Sequence, residues 1–149
     1  LEAALRRPPR DPWPAHVPWR IPRVLHQTWK TEAMPAKYAR HVASWRRLHP
    51  AWRFEFWDDA RSRRLILQHF PQYVEEYDRM SGIKRADVAR IAILHVIGGV
   101  YADIDVEAAR PLDSLLEAAE QIGAGVLLGE ENFVHSVLLE QRSEWLPRH

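Results

Sequence analysis

Residues 83–97 constrain the fold more than any other stretch of the chain. I-K-R-A-D-V-A-R-I-A-I-L-H-V-I runs without Pro or Gly, which predicts a helix. From Val88 onward it is apolar on nearly every side, so the pattern predicts a helix inside the domain and not on its surface. Gly98-Gly99 stop it. V-Y-A-D-I at 100–104 then reads as a short strand, with Asp105 following.

The rest of the chain alternates in the same way. R-V-L-H-Q-T-W at 23–29 reads as a first strand. Residues 37–48 read as a helix, with Tyr38, Val42, Trp45 and Leu48 at helical spacing and Pro50 as its end. W-R-F-E-F-W at 52–57 alternates aromatic and polar residues and reads as a second strand with one buried face. Asp58-Asp59 cap a helix running to about His69. Pro71 punctuates, and a short helix covers about 72–80. Pro111 opens a helix at 112–121, and 125–128 reads as a strand. Strands alternating with helices predict an α/β fold with a largely parallel sheet. Residues 1–22 hold six of the eleven prolines, so they read as an extended linker, pinned by Trp13 and Trp19, ahead of a domain at 23–149.

Composition narrows the class. At 46% hydrophobic and 28% charged residues, the chain predicts a globular fold and not disorder. With no cysteine, disulfide scaffolds, thiolate metal sites and cysteine nucleophiles are excluded. The net charge of +1 hides a split: residues 1–64 carry 14 Lys+Arg against 6 Asp+Glu, and residues 65–149 carry 7 against 14. The basic half has no dense Lys/Arg tract, so nucleic acid is not an expected partner. No stretch is long and apolar enough to span a membrane. The chain opens on Leu1, without Met. That predicts a fragment or processed chain, whose membrane anchor, if any, would lie upstream.

Four features carry chemistry. In a strand, Asp103 and Asp105 would project to one face. Two converging carboxylates are costly unless a cation sits between them or one is protonated. A hard divalent ion such as Mn²⁺ or Mg²⁺ satisfies both and bridges to diphosphate oxygens. By itself a D-x-D also fits a solvated turn. Asp87 and Arg90, at i and i+3, share a helix face and read either as a self-neutralising pair or as a pair aimed into a polar pocket. Lys84 and Arg85, one turn earlier, read as a solvated helix start or as positive charge near a phosphate. Trp29, at a strand's carboxyl end, reads as core packing or as a stacking platform for a base. Trp45, Trp52 and Trp57 fit the core. The eight histidines form no H-E-x-x-H, and there is no Walker loop or G-x-S-x-G.

Three blocks, I-P-R-V-L-H-Q-T-W-K (21–30), W-R-R-L-H-P-A-W-R-F-E-F-W-D-D (45–59) and R-A-D-V-A-R-I-A-I-L-H-V-I-G-G-V-Y-A-D-I-D (85–105), resemble glycosyltransferase family 32 in order and spacing. This is the D-x-D sugar-binding group that includes the fungal Golgi initiating α-1,6-mannosyltransferase. The resemblance implies a GT-A-like, Rossmann-like nucleotide-sugar-binding fold. It implies a nucleotide-sugar donor, a glycan or glycolipid acceptor, Mn²⁺ or Mg²⁺ as cofactor, and residence on the lumenal side of the Golgi membrane. Asp105 would be the direct metal ligand, and Asp103 would meet the ribose or a metal-bound water. Asp87 and Arg90 would hydrogen-bond hydroxyls of the donor sugar, Tyr101 would line the nucleotide pocket, and Trp29 would stack on the base. Family members transfer with retention of configuration. They also continue well past the D-x-D block, so the expectation here is a donor half without its C-terminal part. Asn132 and Phe133 read as the start of the next family block. Two other readings compete: a non-catalytic remnant that holds nucleotide-sugar, and an aspartate phosphohydrolase. The phosphohydrolase pattern is disfavoured by Glu107 at its last position.

Overall fold

The computed structural model describes residues 20–129. Most of the predicted linker, with Trp13 and Trp19, lies outside them, as do Asn132 and Phe133. Three strands form one parallel sheet in the order β2-β1-β3: β1 is Val24–Thr28, β2 Arg53–Trp57 and β3 Val100–Tyr101. Thr28 pairs with Trp57, and His26 with Tyr101. All three strands therefore deliver their carboxyl ends to the same edge. The helices are α1 (Ala39–Leu48), α2 (Asp59–His69), α3 (Val74–Arg79), α4 (Gly82–Ile97) and α5 (Asp113–Gln121). Single 3₁₀ turns lead into α1 and α3.

β1 is the central strand, and Val24 to Gln27 are buried, as a parallel strand covered on both faces requires. Leu25 and Phe54 face one side and pack with Trp45, Trp52 and Leu116. His26 and Trp57 face the other, where Trp57 joins Leu65, Ile66, Tyr77 and Ile93. Trp45, Trp52 and Trp57 are core residues, as their pattern predicts.

The two most buried imidazoles act as connectors. His49 accepts from the Leu112 amide at Nε2 (2.9 Å) and donates from Nδ1 to the Trp45 carbonyl (3.0 Å). That ties the end of α1 to the start of α5. His26 accepts from Trp57 Nε1 at Nδ1 (3.1 Å) and donates from Nε2 to the Gly98 carbonyl (2.9 Å). The Gly-Gly stop is required at both positions. Gly98 has φ +73°. At Gly99, φ is +98°, and a Cβ would stand 2.6 Å from the Val24 carbonyl oxygen.

Three expectations are corrected. β3 ends at Tyr101 and not at Ile104, because the chain turns there: the Val106 amide donates to the Asp103 carbonyl (3.1 Å). The strand expected at 125–128 does not form: that segment pairs with none of the three strands. Instead α5 ends and the chain turns at Gly123 (φ +67°). Finally, α4 buries one face only, through Ala89, Ala92 and Ile93. Ile83 and Ile91 are 79% and 68% exposed, because nothing among the described residues packs on that side.

The His26 pair of hydrogen bonds needs the neutral ring. Burial holds its pKa below the usual value, outweighing the bond to Gly98 that raises it. A histidine whose pKa is lowered on folding takes up protons more readily when unfolded. Its stabilisation is therefore full above the unfolded value of about 6.5 and declines as pH falls below it. The thermal midpoint should drop between pH 7.5 and 5. A His26→Gln variant, less stable at pH 7.5, should show a shallower decline over that range. Parallel slopes in a calorimetric series would contradict this role.

Candidate functional site

The carboxyl edge of the sheet opens into a cleft of about 410 Å³. Each strand contributes to it in turn. β3 leads into Asp103, Ile104 and Asp105, β1 into Thr28, Trp29 and Lys30, and β2 into Trp57, Asp59 and Ser62. α4 closes one side with Gly82, Ile83, Ala86, Ala89 and Arg90. Ligands in open α/β sheets collect at this edge.

Asp103 and Asp105 reach the cleft from a turn and not from a strand, yet both stand on its wall. Their surroundings differ. Tyr101 donates its hydroxyl proton to Asp103 Oδ1 (2.7 Å). That proton being used, the Thr28 hydroxyl 2.8 Å away donates to the Tyr101 oxygen. Burial, with the neighbouring Asp103 carboxylate adding to it, pushes the Tyr101 pKa up to about 12. Tyr101 therefore stays a donor at any physiological pH. On the other side of Asp103, Arg90 Nη1 lies 3.6 Å from Oδ2. Asp103 is thus held by two neighbours, while Asp105 is exposed and has no partner among the described residues.

Arg90 organises the α4 wall. Its Nη2 pairs with Asp87 (2.9 Å), and its guanidinium lies 5.0 Å from the centre of the Tyr101 ring. The Asp87–Arg90 pair is real, and Arg90 still faces the cleft. Asp87 itself does not line the cleft; it is more than half exposed and acts on the cleft through Arg90. Tyr101 likewise stands behind Asp103. Trp29 lines the cleft, half-buried, with its ring edge-on to Tyr38 (centroids 5.6 Å apart). The structure thus gathers Trp29, Arg90, Asp103 and Asp105 around one space and sets Asp87 and Tyr101 one contact behind them.

The loop that carries the aspartates is pinned from below. Trp45 donates its indole N–H to the Val106 carbonyl (2.8 Å) and Trp52 to Asp113 Oδ1 (3.0 Å). Ser44 accepts from the Ala108 amide (2.8 Å). These tryptophans bury their rings in the core and spend their one polar atom on the backbone or side chains beyond the D-x-D.

Sequence reasoning missed Lys30, Tyr38, Asp59, Ser62 and Tyr77, all of which line the cleft. Asp58, not Asp59, is the helix cap, its Oδ1 accepting from the Arg61 amide (2.6 Å). Asp59 faces the cleft and Arg85. The signal was topological: once β2 is parallel to β1, the residues after it must sit at the same edge.

Hard oxygen donors suit a hard divalent ion. Asp105 offers two free oxygens and Asp103 one weakly engaged one. No cluster of three His, Asp or Glu stands among the described residues, so most of a coordination shell would come from water and ligand, as Mg²⁺ prefers. The residues fit such an ion.

Comparison with known proteins agrees with this architecture. Residues 35–122 match the glycosyltransferase sugar-binding region containing DXD motif. Inositol phosphoceramide mannosyltransferase 3 of Schizosaccharomyces pombe is 41% identical over 97 residues, covering 64% of this chain and 27% of that protein. The mannosyl phosphorylinositol ceramide synthase SUR1 of Saccharomyces cerevisiae is 35% identical over 100 residues (66% of this chain and 26% of that protein). An initiation-specific alpha-1,6-mannosyltransferase of Candida albicans is 30% identical over 110 residues (68% and 29%). The chain thus spans less than a third of the length of these relatives. No solved structure matches it. With its GT-A-like parallel sheet and its D-x-D at the strand ends, the chain belongs to the glycosyltransferase family defined by the DXD-containing sugar-binding region.

Proposed function

We propose that the cleft binds a nucleotide-sugar together with a divalent ion, Mn²⁺ or Mg²⁺. We further propose that the protein transfers the hexose to a hydroxyl of a glycan or glycolipid. Two of the relatives are named as mannosyltransferases, one of them of inositol phosphoceramide, and a third as a mannosyl phosphorylinositol ceramide synthase, which supports mannose as the sugar and a glycolipid as acceptor. The observation that carries this reading is the unequal pair of aspartates. Asp103 is oriented by the Tyr101 hydroxyl, with Arg90 close by, and Asp105 beside it is free, in a cleft that also holds Trp29 and Arg90.

In this scheme Trp29 stacks on the base, and Tyr38 braces its edge. Asp105 is the direct ligand of the ion, and Asp103 orients the ribose or a bound water. Arg90, aimed by Asp87 and by the Tyr101 ring, hydrogen-bonds the sugar hydroxyls, and Asp87 acts through it. When bound, the ion offsets the negative charge that grows on the nucleoside diphosphate as the sugar bond breaks. In a retaining, front-face course, the anomeric carbon–oxygen bond breaks and its electron pair stays on the phosphate. The acceptor oxygen bonds to the anomeric carbon on the same face, and its proton passes to the leaving phosphate oxygen. Such a course needs no protein nucleophile. The Golgi lumen is the setting that the family likeness supports. No helix among the described residues is long and apolar enough to cross a membrane.

Two variants test the aspartate assignment. Asp105→Asn should weaken Mn²⁺-dependent binding of GDP-mannose by about a hundredfold, the upper range for perturbed metal sites. It should leave the thermal midpoint nearly unchanged, because the side chain is exposed and unpaired. Binding equal to wild type by calorimetry would remove Asp105 from the site. Tyr101→Phe keeps the ring beside Arg90 and deletes the hydroxyl, freeing Asp103. Loss of a hydrogen bond to a charged group is worth roughly 1.5–3 kcal/mol, so donor affinity should fall about tenfold or more. An unchanged affinity would mean that Asp103 needs no positioning.

A further inference from the structure

Five charged side chains line the cleft: Lys30, Asp59, Arg90, Asp103 and Asp105. Three are matched within the fold. Asp59 meets Arg85 at 3.6 Å, and Arg90 meets Asp87 at 2.9 Å and Asp103 at 3.6 Å. Lys30 and Asp105 have no ion-pair partner among the described residues, and they do not pair with each other. The cleft therefore presents one unmatched cation, at the end of β1, and one unmatched anion, after β3. A ligand complementary to it carries both signs. A nucleoside diphosphate with its divalent ion does so: the ion is positive, and the phosphates outweigh it, leaving the complex anionic.

We propose that Lys30 is a diphosphate-binding residue. Its ammonium contacts phosphate oxygens from the β1 side while Asp105 holds the ion from the β3 side. The assignment rests on the donor-site reading above and adds to it a residue that the D-x-D pattern does not contain. Three observations favour Lys30 over the other basic residues nearby. Arg85 is committed to Asp59 and to the Met80 carbonyl (3.2 Å). Lys84, exposed on the first turn of α4, does not line the cleft. Lys30 rests 5.8 Å from the centre of the Trp29 ring, and an exposed cation–π contact at that distance is weak. Its ammonium can swing to a phosphate at little cost. A lysine suits this place, being a compact charge on a flexible stem with three rotatable donors. Trp29 supplies a face for the base, and the next residue supplies charge for the phosphates attached to it.

The test is a set of calorimetric titrations with Mn²⁺ present, using GDP, UDP, guanosine and uridine as probes. Lys30→Gln should weaken the diphosphate that wild type binds by about tenfold, the loss of one charge-assisted contact. It should leave nucleoside binding unchanged, and Lys30→Arg should restore most of the affinity. Lys84→Gln should bind as wild type. If Lys30→Gln binds Mn²⁺ and diphosphate as tightly as wild type, the Lys30 assignment fails and the donor site stands. If it weakens nucleoside and diphosphate equally, Lys30 supports Trp29 and not the phosphates, and the assignment again fails. If folded wild-type protein binds neither diphosphate, the donor-site reading itself fails and takes this inference with it.

Discussion

The imidazole of His26 sits where three elements meet. It lies in the central strand, accepts a hydrogen bond from Trp57 at the end of β2, and donates one to the Gly98 carbonyl at the end of α4. Two consequences follow from this one buried, neutral ring. The carboxyl ends of β1 and β2 are held level, so Trp29 and Asp59 open onto the same space. The chain leaving α4 is held against β1, where Gly99 passes too close to Val24 for any Cβ, and β3 begins there. The D-x-D turn thus inherits its position from a hydrogen bond five to seven residues upstream.

A second set of polar contacts fixes what comes after the turn. Trp45, Trp52, Ser44 and His49 each bury most of their surface and each place one hydrogen bond on the segment between Val106 and Asp113. The loop bearing Asp103 and Asp105 is therefore anchored at both ends, by the sheet and by α1. Its wall is set before any ligand arrives, and pre-set donors avoid an ordering cost on binding. Only the tips are left free: the Asp105 carboxylate and the Lys30 ammonium.

Much of this was legible in the sequence. The alternation of W-R-F-E-F-W gave β2 to within a residue, and the helical spacing of Tyr38, Val42, Trp45 and Leu48 gave α1. The Gly-Gly stop marked the end of α4 because only glycine suits the positive φ at both places. The likeness of the three sequence blocks to one family agreed with the family match. Other features were not legible, for physical reasons. The extent of β3 depends on a turn closed by a backbone bond from Val106 to Asp103, which no side-chain pattern encodes. The apolar run of α4 predicted burial all round, but burial depends on what packs against a helix and not on its own composition. Asp59 looked like a helix cap, and Lys30 carried no signal of its own. Their place at the cleft follows from strand order, which local pattern does not specify. The buried histidines looked like scattered polar residues because their partners lie up to 72 positions away.

Every role assigned to the cleft depends on a divalent ion and a nucleoside diphosphate meeting at the carboxyl ends of β1 and β3. Paramagnetic broadening by Mn²⁺, read amide by amide in NMR spectra with GDP or UDP present, tests it most directly. Signals of residues 28–30, 90 and 101–105 should be lost first, and Asp105→Asn should restore them. Broadening centred elsewhere, for instance on the exposed Glu75 and Glu76 of α3, or broadening unchanged by Asp105→Asn, would contradict it.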